Sequence, residues 1–206
     1  MVTPRWRVPR PARLPRMKVI VGLGNPGREY EDTRHNVGWW FVEHLAQRWH
    51  FDSWRKDGDS LTSSGLVGTK KVRLVKPQTY MNLSGSALRP FLKREGFTPA
   101  EDLMIIVDEV AVPAGEYRLR AAGSPGGHNG LKSVEAQLKS SAYPRLRIGI
   151  RPIDERRTIG DLAEFVLHTM PRDERELVEA QYDRMAKALE LWLADGTEKA
   201  VSAMGR

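Results

Sequence analysis

Apolar residues in this 206-residue chain fall into short runs and helical stripes that alternate along it. Lys18–Leu23 (KVIVGL) is an apolar run of strand length ending in glycines. Val37, Trp40, Phe41, Leu45 and Trp49 then recur at the spacing of one helix face. Leu61–Val67 and Val72–Lys76 predict a strand pair, followed by a loop over Pro77–Asn82 and a helix marked by Leu88, Phe91 and Leu92. Leu103–Val107 reads as a second buried strand and Glu116–Arg120 as another. Beyond the glycine-rich segment Gly123–Gly130, Leu131, Val134 and Leu138 share a helix face, and Leu146–Ile150 forms a further strand. Val178, Tyr182, Met185, Leu189 and Trp192 keep helical spacing and predict one amphipathic helix. Strands alternating with helices predict an α/β fold, a single domain over residues 17–206 with a twisted mixed β-sheet flanked by helices.

Met1–Arg16 breaks this pattern. It is rich in Pro and Arg, has no apolar period, and is expected to be disordered. Three readings of it stand: a nucleic-acid-binding arm, an organelle transit segment, or sequence upstream of a start at Met17. The last is preferred because Met17 opens the first strand. The segment also changes the meaning of the charge. The chain carries +7, but five arginines lie in this stretch with no acid, leaving 28 basic against 26 acidic residues elsewhere. Any polyanion site in the body is therefore a local patch. The absence of cysteine excludes disulfides, thiolate metal sites and a cysteine nucleophile. No apolar run reaches the roughly 18 residues of a membrane-spanning helix.

Five short segments carry candidate chemistry. Gly22-Leu-Gly-Asn-Pro-Gly27 has the glycine spacing of a dinucleotide site. However, no apolar helical stripe follows until Val37, and no following strand ends in an acid at the required distance of about 20 residues. The glycines instead predict a sharp turn that holds Asn25 at the rim of a cleft. His35, in Thr33-Arg-His-Asn36, falls just before a helix, at the carboxyl edge where open α/β sheets place their sites. Asp108-Glu109 directly follows the apolar strand, where a carboxylate can orient an imidazole and strengthen it as a base. Asn82 and Asn129 bring two more amides, suited to orienting water and a peptide-like group. The segment Gly123–Gly130 has glycine hinges that suit a mobile lid. Arg118 and Arg120 share a strand face and, with Lys132, Lys139, Arg145 and Arg147, make a phosphate patch plausible. The five histidines lack metal-ligand spacing, and there is no G-x-S-x-G elbow.

Together these residues resemble the bacterial peptidyl-tRNA hydrolase family. The resemblance rests on Val21-Gly-Leu-Gly-Asn-Pro-Gly27, Tyr30, Thr33-Arg-His-Asn36, Pro77-Gln-Thr-Tyr-Met-Asn-Leu-Ser-Gly85, Val107-Asp-Glu109, Gly126-Gly-His-Asn-Gly-Leu-Lys132 and Arg145-Leu-Arg-Ile-Gly-Ile150. It implies a monomeric, cytoplasmic enzyme that uses no metal or other cofactor and no membrane. Such an enzyme cleaves the ester between a peptide and the 3′ ribose of tRNA. It implies His35 as base, Asp108 as its partner and Asn25 as a catalytic amide. Tyr30, Met81, Asn82, Asn129, Arg118, Arg120, Lys132 and Arg147 are then expected to bind the peptide or the tRNA. The alternative is a non-catalytic RNA-binding module on the same scaffold.

Overall fold

The apolar runs become the centre of a sheet covered on both faces. The computed structural model describes residues 16–154 and 156–204. The expected extension Met1–Arg16 lies outside the described residues except for Arg16, which pairs with Glu101 and donates to Thr98 Oγ1 at 3.2 Å. Seven strands are described: β1 Lys18–Gly22, β2 Arg55–Asp57, β3 Ser60–Val67, β4 Lys70–Pro77, β5 Leu103–Pro113, β6 Tyr117–Arg120 and β7 Arg145–Arg151. Their order is β2-β3-β4-β1-β5-β7-β6. β4, β1, β5 and β7 run parallel; β3 and β6 run antiparallel to them on either side, and β2 pairs antiparallel with β3 at the outer edge. The expected α/β domain with a mixed sheet is what forms.

Among the described residues eight α-helices accompany the sheet: α1 Val37–Arg48, α2 Arg89–Leu92, α3 Pro99–Asp102, α4 Asn129–Leu138, α5 Leu162–Leu167, α6 Arg172–Glu179, α7 Tyr182–Asp195 and α8 Thr197–Met204. Alternation along the central strands divides the core into two. Ile20, Met104 and Ile106 face α1 and α7, meeting Phe41, Leu45, Met185, Leu189 and Trp192. Val19, Val21, Ile105 and Val107 face the other way, toward Met81, Leu88, Leu131 and Val134. Strands covered on both faces need apolar residues at every position, which is why they appear in sequence as unbroken runs.

Three expectations are corrected. The strand beginning at Leu103 does not stop at Val107: it runs through Asp108 and Glu109 to Pro113, with an irregular register after Glu109. Asp108 is thus held inside the strand, opposite Ile148, and not just past its end. The single helix expected over Val178–Trp192 is two. The chain tightens to an i→i−3 bond at Gln181 and restarts as α7. The stripe survives the break because Val178, Tyr182, Met185, Leu189 and Trp192 are all buried. The helix expected at Leu88, Phe91 and Leu92 forms as the short α2, with Leu88 at the end of a preceding 3-10 segment, Met81–Leu88.

The entry to α1 is fixed by contact between backbones. A Cβ at Gly38 would lie 2.6 Å from the Leu23 carbonyl oxygen and 2.7 Å from that of Ile106, and one at Gly22 would lie 2.3 Å from the Gly38 carbonyl oxygen. Only glycine lets the first turn of α1 rest on β1 and β5. Gly38→Ala is expected to cost about 1–3 kcal/mol by overpacking, read as a lower urea midpoint with unchanged slope; an unaltered midpoint would contradict this account of the contact.

Candidate active site

The carboxyl ends of the parallel strands collect the polar residues. β1 ends in Leu23-Gly-Asn25, and the chain crosses through two 3-10 turns, Arg28–Tyr30 and Arg34–Asn36, before α1 begins. No helix opens within the glycine motif, so it lacks the helix N-terminus that holds a pyrophosphate. The second turn presents His35. β4 leads to Met81, β5 carries Asp108, and the loop before α4 brings His128. This is the crevice where strand order diverges on either side of β1, the usual ligand site of such sheets.

The site centres on one oxygen atom. His35 Nδ1 lies 2.9 Å from Asp108 Oδ1, and His128 Nε2 lies 2.9 Å from the same atom. The protons can be assigned from the other contacts. Gly130 and Leu131 N–H donate to His128 Nδ1 at 3.1 and 3.3 Å, capping α4. The His128 ring proton must then sit on Nε2 and point at Asp108. His35 likewise donates Nδ1–H to the carboxylate, which leaves its Nε2 lone pair unused. His35 is 8% and Asp108 4% exposed, yet both line an open cleft of about 220 Å³ with Glu109, His128, Asn129 and Arg147. Leu162, Ala163, Val166, Val110 and Pro125 complete its walls.

Electrostatics follow from burial and pairing. Burial alone pushes the Asp108 carboxyl up, but the two imidazoles and their hydrogen bonds outweigh it and hold it well below the usual carboxylate range. Burial lowers the pKa of His35, while the charge and hydrogen bond of Asp108 together exceed that effect and raise it. His35, Asp108 and His128 also place one potential ligand atom each within 4.8 Å of one another. The tautomer argues against coordination: His128 offers no lone pair at Nε2 while its Nδ1 caps the helix.

Asn25 belongs to a second polar lock. Its backbone N–H donates to Asn36 Oδ1 at 2.8 Å, and Asn36 Nδ2 donates back to the Asn25 carbonyl at 3.0 Å. The Met81 N–H donates to Asn25 Oδ1 at 2.7 Å, so only the Nδ2 group of Asn25 remains available as a donor. This lock adjoins His128: a Cβ at Gly130 would meet Met81 Sδ at 2.5 Å and His128 Cε1 at 3.0 Å.

The remaining expected residues separate. Asn129 is exposed and lines the cleft; His128, not Asn129, is the cap of α4. Asn82 is exposed on the neighbouring 3-10 segment, outside that cleft. Met81 is buried, and its backbone N–H makes its polar contact. Tyr30 is half-buried, edge-on to Tyr80 at 6.4 Å. Arg118 and Arg120 are exposed on edge strand β6, opposite Arg147 and Arg145. Lys132 is exposed in the first turn of α4. Arg147 lines the cleft, pairs with Glu109, and donates to the Ser124 carbonyl at 2.8 Å. Arg145 leaves the phosphate patch. It is fully buried and committed to the Ser124 and Ser141 carbonyls and to Glu135. The expected lid is therefore tied at Ser124 by two arginines.

Sequence reasoning missed His128 and Asn36, which sat in quoted motifs without a role. The signal for His128 was available: it is the last residue before a helix, where a side-chain acceptor is needed.

Comparison with known proteins agrees with this geometry. The family model described as peptidyl-tRNA hydrolase matches residues 19–206. The chain belongs to the peptidyl-tRNA hydrolase family. It is 77% identical over 190 residues to the peptidyl-tRNA hydrolase of Gemmatimonas aurantiaca, covering 92% of this chain and 100% of that protein. It is 43% identical to the Bacillus subtilis peptidyl-tRNA hydrolase, covering 86% and 93%. The crystal structure of peptidyl-tRNA hydrolase from Acinetobacter baumannii matches with a TM-score of 0.80 and 35% identity, over 91% of this chain and 94% of that one.

The coupled pair can be followed without turnover. In an NMR titration, His35 is expected to titrate above the ordinary value of about 6.5. Asp108→Asn should move it to or below that value, because burial then acts unopposed. The raised pKa stabilises the fold fully below about 6.5 and less as pH rises through the folded value. Asp108, whose pKa is lowered, contributes above the carboxylate range and loses its contribution as pH falls below it. An unmoved His35 titration in Asp108→Asn would refute the coupling.

Proposed function

We infer that this chain hydrolyses the ester between the peptide and the 3′ ribose of peptidyl-tRNA, releasing free tRNA for reuse in translation. The observation that carries the chemistry is the 2.9 Å contact between His35 Nδ1 and Asp108, which leaves His35 Nε2 unencumbered in an open cleft. In this reading His35 Nε2 takes a proton from water as the water oxygen bonds to the ester carbonyl carbon. Asp108 stabilises the imidazolium, and His128 holds Asp108. The tetrahedral intermediate then expels the 3′ oxygen, which takes the proton back from Nε2. The products are the 3′ hydroxyl of tRNA and the peptide's carboxylic acid, which releases its proton to solvent, and no covalent enzyme intermediate is required. Asn25 Nδ2 is our choice for the oxyanion donor, since its Oδ1 is held by Met81 and the amide has one orientation.

Substrate binding follows the placement of the other residues. Asn129, Asn82, Met81 and Tyr30 are proposed to meet the peptide or the acylated end. Arg118, Arg120, Lys132 and Arg147 are proposed to meet tRNA phosphate. Register supports a shared face for the arginines, because Arg118 stands opposite Arg147. The reading includes action in the cytoplasm as a single chain; among the described residues no helix is long and apolar enough to cross a membrane.

Release of tRNA from an N-acylated aminoacyl-tRNA tests this directly. His35→Ala is expected to lose about 10²–10⁴ of the rate while binding tRNA nearly as well as wild type. Activity close to wild type would remove His35 from the mechanism, and an inert wild type that still binds tRNA would favour the RNA-binding alternative. Arg118→Ala with Arg120→Ala should weaken binding and flatten its salt dependence, by about one unit of log–log slope per lost phosphate contact. An unchanged slope would move the tRNA face elsewhere.

A further inference from the structure

One wall of the cleft is supplied by a helix that only borders the core. α5 has no fully buried residue, and its Leu162 and Leu167 are exposed. Only Phe165 and Val166 pack against the core, both half-buried, so apolar burial alone holds it weakly. α5 packs instead on the turn Arg34–Asn36, the turn that presents His35.

Arg34 is the centre of that contact. It is 5% exposed. Its Nη2 donates to Glu174 Oε2 at 2.8 Å and its Nη1 to the Thr169 carbonyl at 3.3 Å. The guanidinium lies 4.3 Å from the centre of the Phe165 ring, on α5. Glu174, 1% exposed, also accepts from Arg157 Nη1 at 2.7 Å. One buried carboxylate thus ties together the turn and the chain on either side of α5. Backbone bonds from Arg34 to His168 and from Met170 to Asp32 close the same seam. With Phe165 against Arg34, the residues Leu162, Ala163 and Val166 of α5 line the cleft that holds His35 and Asp108.

We propose that Arg34 is a positioning residue for the hydrolytic site: it holds α5 against the turn, so that one turn sets both the imidazole and the facing apolar wall. This rests on the reading of the chain as a peptidyl-tRNA hydrolase for its substrate, though not for its geometry. Arginine is needed because a planar guanidinium stacks on Phe165 and forks to Glu174 and Thr169 at once, which a lysine ammonium does not.

The test compares wild type, Arg34→Lys, Phe165→Ala, Phe165→Tyr and the double variant Arg34→Lys with Phe165→Ala on an N-acetylated aminoacyl-tRNA. Losing the stacked contact is expected to raise KM about tenfold, with kcat within about twofold. The pH at half-maximal kcat/KM should stay put, since His35 keeps its partners. Phe165→Tyr should restore wild-type values, and the double variant should be no worse than the weaker single one. Lower kcat at unchanged KM, a displaced pH profile, or additive effects would overturn the proposal. Should Arg34→Lys fail to fold, the two Phe165 variants decide the matter. Hydrogen exchange gives a readout independent of turnover. Residues 162–167 should exchange faster in Arg34→Lys and Phe165→Ala while β1 and β5 do not. Equal exchange in α5 would sink the inference, whereas an inactive wild type with loosened α5 in the variants would count only against the hydrolase reading.

Discussion

A single carboxylate oxygen, Asp108 Oδ1, organises this molecule's chemistry. It accepts from two imidazoles at once, inside a strand where Asp108 is almost completely buried. A buried carboxylate without partners would be strongly disfavoured and would take up a proton. Here two N–H donors satisfy it, and the result is asymmetric. His128 has its second nitrogen occupied by the α4 amides, so it acts as a fixed strut. His35 has its second nitrogen free. The same acceptor therefore makes one histidine structural and leaves the other able to move a proton.

That asymmetry requires three separate parts of the chain to arrive within a hydrogen bond of each other. Glycine contacts at Gly22 and Gly38 let α1 start directly over β1 and β5, so the turn before it carries His35 to Asp108. The reciprocal bonds between Asn25 and Asn36 fasten the loop after β1 to that same turn. Met81 then fixes which way the Asn25 amide faces. Each amide is oriented by backbone groups, so its direction is set before any ligand arrives. Such preorganisation is what makes a donor effective toward a charge that appears only in the transition state.

Legibility in the sequence tracked how much each feature depends on local pattern. Buried strands and the α1 and α4 stripes were visible because alternation and helical period are written in apolar residues. His35 and Asp108 stood out because each follows or precedes such an element. Asp108 was nonetheless placed beyond its strand: an acid ordinarily ends an apolar run, and only the two histidines explain why a strand continues through it. The α6–α7 break contains no glycine or proline, and the stripe keeps phase across it, so nothing local announced it. α5 was missed because it buries no apolar residue fully and draws its place from Arg34 and Glu174, which lie far apart in sequence. Arg145 read as surface charge because nothing in the sequence reveals that α4 and the Ser124 loop close over it.

The pairing of charges around the cleft also bears on which esters suit it. Every acid near the reacting position is already answered: Asp108 by two imidazoles and Glu109 by Arg147. The facing wall of Val110, Pro125, Leu162, Ala163 and Val166 offers no acceptor from its side chains. A free α-ammonium next to the ester would have to shed water here without gaining an unpaired carboxylate, which is costly. An acylated nitrogen is uncharged and brings its own carbonyl and N–H, groups that an amide side chain such as the exposed Asn129 lining the cleft is able to pair with. On this reading, a preference for a peptidyl over an aminoacyl group would need no dedicated gate. It would follow from a cleft whose two carboxylates are already paired, Asp108 with the imidazoles and Glu109 with Arg147.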